Sequence, residues 1–328
     1  MKPSARELEA TRRLLCGLQD AVRDRVIAVR RLGMPRLARV QTVTVADTIY
    51  ALDVAIEKTV LAWFARHWPV DRPVELVMEG LEGRGPVTFP RGTPVTSTHW
   101  KCIIDPIDGT RGLMYDKRSG WCLAGLAPQR GQKTNLADIV VAAMTELPTS
   151  KGGFADQLSA VRGKGVTAER VDLRTGRRQT FRPQPSRATT VGHGFASFAK
   201  FFPDGKSWLS AREEQLWAEL AAGSDVFDDQ YMSTGGQLYE IIAGHDRFIA
   251  DLRPLANERL GIRTSRVCHP YDIATALIAQ EAGCVVTDAE GASLRAPLDT
   301  TSPVSWVAYA NRALARKIGP VLRQVMAL

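Results

Sequence analysis

A chain of 328 residues, 45% hydrophobic and 24% charged, buries a substantial core and is expected to form two domains or one large layered one. No apolar run approaches the roughly 20 residues of a membrane span, and the N-terminal Met-Lys-Pro-Ser-Ala-Arg-Glu lacks the apolar core of a secretory leader, so a cytoplasmic, membrane-free protein is expected. The formal charge of +8 comes with Arg12-Arg13, Arg30-Arg31 and Arg177-Arg178 but no interleaved aromatics, which fits a solvated basic face or a field for anionic substrates and leaves polymeric nucleic acid the least supported partner.

Residues 5–31 carry Leu8, Leu15, Leu18, Val22 and Val26 at helical spacing, which predicts a helix. Residues 33–44 hold Gly33, Pro35 and the β-prone Val40-Gln-Thr-Val-Thr, a loop or short strand. A second helix is expected from Thr48 to His67, with Ala51, Ala55, Val60, Leu61 and Phe64 as its inward stripe. Glu75–Met78 reads as a short buried strand ending at Glu79-Gly80, and residues 83–98 as an exposed loop rich in Gly, Pro and Thr. Further strands are expected at Trp100–Ile104, Trp121–Ala127 and Ile139–Met144. Hairpin strands follow over 157–182, with turns at Gly163-Lys-Gly165 and Thr175-Gly176.

Pro183 and Pro185 mark a boundary between an N-terminal α+β domain, residues 1–185, and a C-terminal α/β domain, residues 186–328. In the second half the pattern predicts strands at Thr189–His193, Asp246–Asp251 and Cys284–Thr287. Helices are expected at Ala211–Ala221, Gly235–Ala243 and Asp272–Ala282. Elements in this order suggest stacked helix and sheet layers rather than a parallel barrel. Cys16, Cys102, Cys122, Cys268 and Cys284 show no Cys-x-x-Cys spacing, which argues for free thiols over a zinc site or a disulfide framework.

The densest chemical signal is Ile103-Ile-Asp105-Pro-Ile107-Asp108-Gly109-Thr110. Two carboxylates on a strand-to-turn corner, beside a hydroxyl and a glycine turn, suit hard divalent cations and a water molecule. Taken alone, Asp-x-x-Asp is a solvated acidic turn. The full octapeptide resembles the signature of the inositol monophosphatase superfamily.

Three more segments resemble that superfamily in the same chain order. Leu52-Asp53-Val-Ala-Ile-Glu57 looks like a Thr-x-x-Asp-x-x-x-Glu helix start, with Asp53 the matching acid; Asp47 resembles a version of the motif in the nucleotide-phosphatase branch. Val77-Met78-Glu79-Gly80 stands where the family has Gly-Glu-Glu, so that the second glutamate is lost. His269-Pro-Tyr271-Asp272, leading to Glu281-Ala-Gly283, resembles Trp-Asp-x-Ala-Ala…Glu-Ala-Gly-Gly, with Tyr271 replacing Trp.

What the resemblance implies is specific. The fold would be a layered α/β/α/β/α sandwich, shared with fructose-1,6-bisphosphatase. The activity would be Mg²⁺-dependent, lithium-sensitive hydrolysis of a small phosphate monoester, with two or three ions per site and a homodimeric assembly. Glu79, Asp105, the Ile107 carbonyl, Asp108 and Asp272 would hold metal. Thr110, assisted by Glu79 and with Asp53 (or Asp47) behind it, would orient the attacking water. Gly109, Thr110, Arg111 and the helix start Ser233-Thr234-Gly235 would meet substrate.

An inositol phosphate or a related sugar phosphate is the first substrate expectation. Arg111-Gly112-Leu113 is closer to the Lys/Arg-Gly-Phe of the branch acting on 3′-phosphoadenosine 5′-phosphate, where Arg111 would read a second phosphate. A fructose-1,6-bisphosphatase-like activity is disfavoured by the Ile-Asp-Gly-Thr form of the signature. From another class, a catalytically silent basic binding protein on the same scaffold is the alternative.

Overall fold

Leu15, Leu18, Val22 and Val26 recur at steps of three and four and are all fully buried on one stripe of helix α1 (Ala5–Arg30). The computed structural model describes residues 3–30, 40–43, 48–221 and 225–327. Strands β1 (Val40–Val43) and β2 (Thr48–Tyr50) pair with each other, and α2 (Ala51–His67) follows. Residues 48–50 are therefore strand, where the sequence suggested the first turn of the helix. On α2, Val60 and Phe64 are fully buried as expected, while Leu52 and Ile56, each one position beyond the expected Ala51 and Ala55, complete the stripe. Spacing of four leaves two adjacent apolar faces, and the sheet chose the face with the larger side chains.

Eight strands form the first sheet: β3 (Val74–Met78), β4 (Val87–Phe89), β5 (Trp100–Asp108), β6 (Gly120–Pro128), β7 (Val141–Leu147), β8 (Phe154–Val161), β9 (Val166–Asp172) and β10 (Arg178–Phe181). Their order is β10-β9-β8-β7-β6-β5-β3-β4, antiparallel except for the parallel pair β3 and β5. β4 falls inside the expected loop 83–98; its three residues are buried against β3, which a Gly- and Pro-rich context hides.

The second sheet has the order β12-β11-β13-β15-β14, from β11 (Gly194–Phe198), β12 (Val226–Phe227), β13 (Asp246–Asp251), β14 (Val285–Thr287) and β15 (Trp306–Tyr309). The strand expected at 189–193 begins instead at Gly194. Helix α3 (Thr110–Met114) belongs to the first half; α4 (Lys206–Glu219), α5 (Thr234–Ala243), α6 (Arg253–Leu260), α7 (Ala276–Glu281) and α8 (Arg312–Met326) belong to the second. Both α6 and the β15–α8 unit escaped the sequence reading.

Three apolar clusters define the layers. The first lies between α1, α2 and one face of the large sheet; the second, containing Trp121, Leu238, Ile278 and Trp306, joins both sheets through α5 and α7. The third packs α4 and α8 on the far face of the small sheet. The result is the α/β/α/β/α sandwich that the motifs implied. Cys102, Cys122, Cys268 and Cys284 are buried free thiols. Among the described residues, no helix is long and apolar enough to cross a membrane.

Candidate metal centre

On a regular strand, residues three apart point to opposite faces, so Asp105 and Asp108 should diverge. They do not, because β5 is irregular. Its register against β6 runs evenly from Trp100 opposite Pro128 to Asp105 opposite Leu123, then slips by one so that Asp108 faces Trp121. Such a bulge re-aims side chains. The neighbouring strand β3 ends opposite Ile104, so Pro106 sits where no ladder bond from that side is required. The octapeptide is thus a bulged strand end rather than a turn after Ile104.

Gly109 follows with φ of 85°, and α3 starts at Thr110. A Cβ on Gly109 would lie 2.9 Å from the Ser233 Cβ, so both the backbone angle and the space call for glycine. Ser233 caps α5, accepting from the Gly236 N–H at 2.9 Å while its hydroxyl donates to Asp108 Oδ2 at 2.8 Å. The Gly235 N–H donates to the same oxygen. Asp272 comes from the turn before α7, four residues ahead of the helix rather than at its first position. Its Oδ2 accepts from the His269 N–H at 2.6 Å, and its own N–H donates to the His269 carbonyl at 3.1 Å.

These three segments bring ligand oxygens of Asp105, Asp108 and Asp272 within 4.8 Å of one another. Asp105 is 1% and Asp108 6% exposed. Burial, then the charges of Glu79, Asp108 and Asp272, holds the Asp105 carboxyl well above the usual range; only the Ile107 N–H, donating at 2.9 Å, pulls it back. Asp108 is pushed up to about 7 by burial and by Asp272, against hydrogen bonds from Gly235, Ser233 and Thr234. Like charges are gathered here. A donor set of buried, mutually repelling carboxylate oxygens fits a hard cation such as Mg²⁺.

The cluster floors a cavity of about 140 Å³ that is also lined by Glu79, Ile107, Gly109, Thr110, Arg111, Ser233 and Thr234. Glu79 lies just past β3, its N–H donating to the Ile104 carbonyl at 3.3 Å, and stands outside the tight group of three carboxylates. The Thr110 hydroxyl is 2.8 Å from the Ile107 carbonyl and 3.4 Å from Asp53 Oδ1. One hydroxyl proton cannot serve both acceptors, and the shorter contact is the stronger. Gly235 approaches from behind through its N–H to Asp108. Asp47 lies outside the described residues.

Several lining residues were not anticipated: Phe201, Phe202, Arg253, Ser265, Arg266, His269 and Tyr271. His269 and Tyr271 stack at 5.3 Å, with the Tyr271 hydroxyl 3.2 Å from His269 Nδ1. Burial and the surrounding acids push the Tyr271 hydroxyl far above its usual pKa, so it stays protonated. The His-x-Tyr-Asp spacing was the available signal for this pair. Nothing local marks Phe201, Phe202 or Arg266, which reach the cavity only through tertiary packing.

At the level of sequence, no family model and no curated protein matches this chain. Solved structures do. The extragenic suppressor protein SuhB from Bartonella henselae superposes with a TM-score of 0.65 at 16% identity, covering 96% of this chain and 99% of that one. Leishmania major fructose-1,6-bisphosphatase in holo form gives a TM-score of 0.67 at 13% identity, with 96% and 94% covered. A hypothetical protein, PH1897 from Pyrococcus horikoshii, with similarities for inositol-1 monophosphatase, gives 0.63 at 15% identity, with 96% and 98% covered.

Proposed function

We propose that this chain, whose fold is that of the inositol monophosphatase superfamily, is a Mg²⁺-dependent phosphomonoesterase acting on a small phosphorylated metabolite. The observation that carries the reading is the convergence of Asp105, Asp108 and Asp272 on one cavity beside the Thr110 hydroxyl. Buried carboxylates repelling one another are costly in an isolated fold, and a divalent cation removes that cost. Asp105, Asp108 and Asp272 would hold the ion, with Glu79 and the Ile107 carbonyl as further oxygen donors. Bound there, Mg²⁺ would supply Lewis-acid neutralisation of phosphoryl charge.

The chain's own groups account for the rest. Thr110 Oγ can accept from an attacking water once its own proton turns from the Ile107 carbonyl, now at 2.8 Å, to Asp53 Oδ1, now at 3.4 Å. Ser233 and the Gly235 N–H fix the rotamer of Asp108, so its remaining oxygen faces the cavity without rearrangement. The His269 N–H does the same for Asp272.

The test is a Mg²⁺-supplemented screen of phosphorylated metabolites, wild type against Asp105→Asn and Asp272→Asn. Turnover in the wild type with loss of at least about 100-fold in each folded variant is expected. Undiminished turnover in either variant would sink the reading.

A further inference from the structure

The far face of the small sheet carries another cavity, of opposite charge to the acidic one. Side chains alternate along β15: Trp306 and Ala308 join the layer shared by both sheets, while Val307 and Tyr309 turn the other way, toward α8. There Tyr309 and Gly291 meet Arg312, Arg316, Gly319 and Arg323 around a cavity of about 240 Å³. Among the described residues, none lines both this cavity and the acidic one.

The charge of this cavity follows from the periodicity of α8. Leu314, Ile318, Leu322 and Val325 form its buried stripe. Arg312, Arg316, Gly319 and Arg323 recur beside that stripe at steps of four, three and four. No acid answers them: among the described residues, none of the three arginines makes an ion pair or a side-chain hydrogen bond. Asp288, in the turn beside them, spends its Oδ1 on the N–H groups of Glu290 and Ala292.

A row of arginines on a helix is ordinarily a solvated face. Two features set this one apart. Gly319 lies inside the helix without a positive φ, where alanine would be more stable. A Cβ there would lie 3.4 Å from the Tyr309 hydroxyl and 3.5 Å from Arg323 Nη1, so its absence leaves the space between phenol and guanidinium open. Tyr309 is the second feature. It is only 4% exposed, yet among the described residues its hydroxyl has no hydrogen-bond partner. Burial holds its pKa above the ordinary tyrosine value although Arg323 opposes, so the hydroxyl keeps a proton to donate.

We propose that this cavity is an anion-binding site, separate from the metal centre, that takes a small molecule by its phosphate group. Arg323 and the Tyr309 hydroxyl hold the phosphate, and the exposed Arg312 and Arg316 add charge at the rim. Guanidinium forks and a phenol O–H are all donors, which matches a group that offers only acceptors. Three uncompensated cations on one stripe repel one another, and a dianionic phosphate relieves more of that repulsion than a single carboxylate does. The site does not depend on the hydrolase reading.

Titration calorimetry on the whole chain, stripped of metal and dialysed, tests it. The probes are inorganic phosphate, pyrophosphate, a nucleoside 5′-diphosphate and citrate, at matched ionic strength. At least one phosphate probe should bind with a submillimolar Kd, more tightly than citrate. Arg323→Ala should weaken that binding by about tenfold or more, and Tyr309→Phe, which keeps the ring, by about threefold or more. Arg316→Glu changes an exposed residue and should weaken it too, so the loss is not read from a disturbed core; a melting curve accompanies each variant. Asp105→Asn should bind as the wild type does.

The probes also separate the sources of the phosphate. Equal binding of inorganic phosphate and the diphosphates assigns the site to the free ion, and binding of the nucleotide alone assigns it to a phosphorylated metabolite. No binding of any phosphate probe up to about 10 mM overturns the site. So does tighter binding of citrate, an affinity unchanged in Arg323→Ala and Tyr309→Phe, or a loss of binding in Asp105→Asn.

Discussion

The backbone N–H of Gly235 donates to Asp108 Oδ2 at 2.5 Å, joining residues 127 positions apart. This bond locks the end of β5 to the start of α5, and so ties the large sheet to the layer between the sheets. It also sets which oxygen of Asp108 remains for the cavity.

Gly235→Ala should break that lock. The added Cβ would lie 2.5 Å from Leu123 Cδ2 and 3.1 Å from Asp108 Oδ2, so the helix start must move away. We expect Mg²⁺-dependent turnover to fall by about 100-fold or more, as displacements near 1 Å do at reacting centres. Kinetics beside a circular dichroism spectrum check this; full activity in the variant would contradict the geometry.

The acidic cluster should be a source of instability until a cation is bound. Adding Mg²⁺ to chelator-treated protein is expected to raise the melting temperature in proportion to the logarithm of its concentration above the Kd. Asp108→Asn removes one buried charge from the repelling group, so the metal-free variant should melt higher than the metal-free wild type and gain less from Mg²⁺. Calorimetric melts in chelator and in Mg²⁺ decide both points.

Thr110 and Asp53 should act as a pair. Thr110→Ala is expected to lower kcat by about 100-fold or more with a small change in KM, and Thr110→Ser to recover much of it. In a double-mutant cycle with Asp53→Asn, the two losses should fall well short of adding. Additive losses would separate Asp53 from the Thr110 proton.

A pH effect on stability is expected away from the cavity. Asp246, at the start of β13, is pushed up to about 7 by burial and by Glu240 and Asp229, with His245 and Arg118 opposing. Between its ordinary value near 3.8 and about 7, the folded chain holds this proton more tightly than the unfolded chain does. The contribution of Asp246 is thus most favourable below that window and is lost as pH rises through it. Asp246→Asn should therefore gain melting temperature over the wild type from pH 5 to pH 8. A constant difference across that range would refute the assignment.

The N-terminal helix should prove structural. Gln19, fully buried on α1, donates to the Ala143 carbonyl at 2.8 Å and accepts from the Thr145 hydroxyl at 2.8 Å, both on β7. Gln19→Ala removes two buried hydrogen bonds, leaving the Thr145 hydroxyl only the bond it accepts from Gln157 Nε2, and should cost about 1–3 kcal/mol in denaturant unfolding. Mg²⁺ affinity should be retained in the folded fraction.

By itself the sequence determined the elements whose signal is local. The helix at 5–30 follows from apolar residues at steps of three and four, and the β8–β9–β10 hairpins from their glycine turns, because neighbouring residues alone create those patterns. It also marked Asp105, Asp108 and Asp272 as acids of one chemistry, through short motifs resembling a known superfamily. Only the tertiary structure decided how they meet. A one-residue slip of β5 against β6 turns Asp105 and Asp108 to one side, and the packing of α5 and the His269–Asp272 turn brings in the third carboxylate. The cavity wall that holds Arg253 and Arg266 belongs wholly to this second kind of information. Its residues carry no pattern along the chain, and their meeting with the acidic floor comes from two sheets closing on a shared apolar layer.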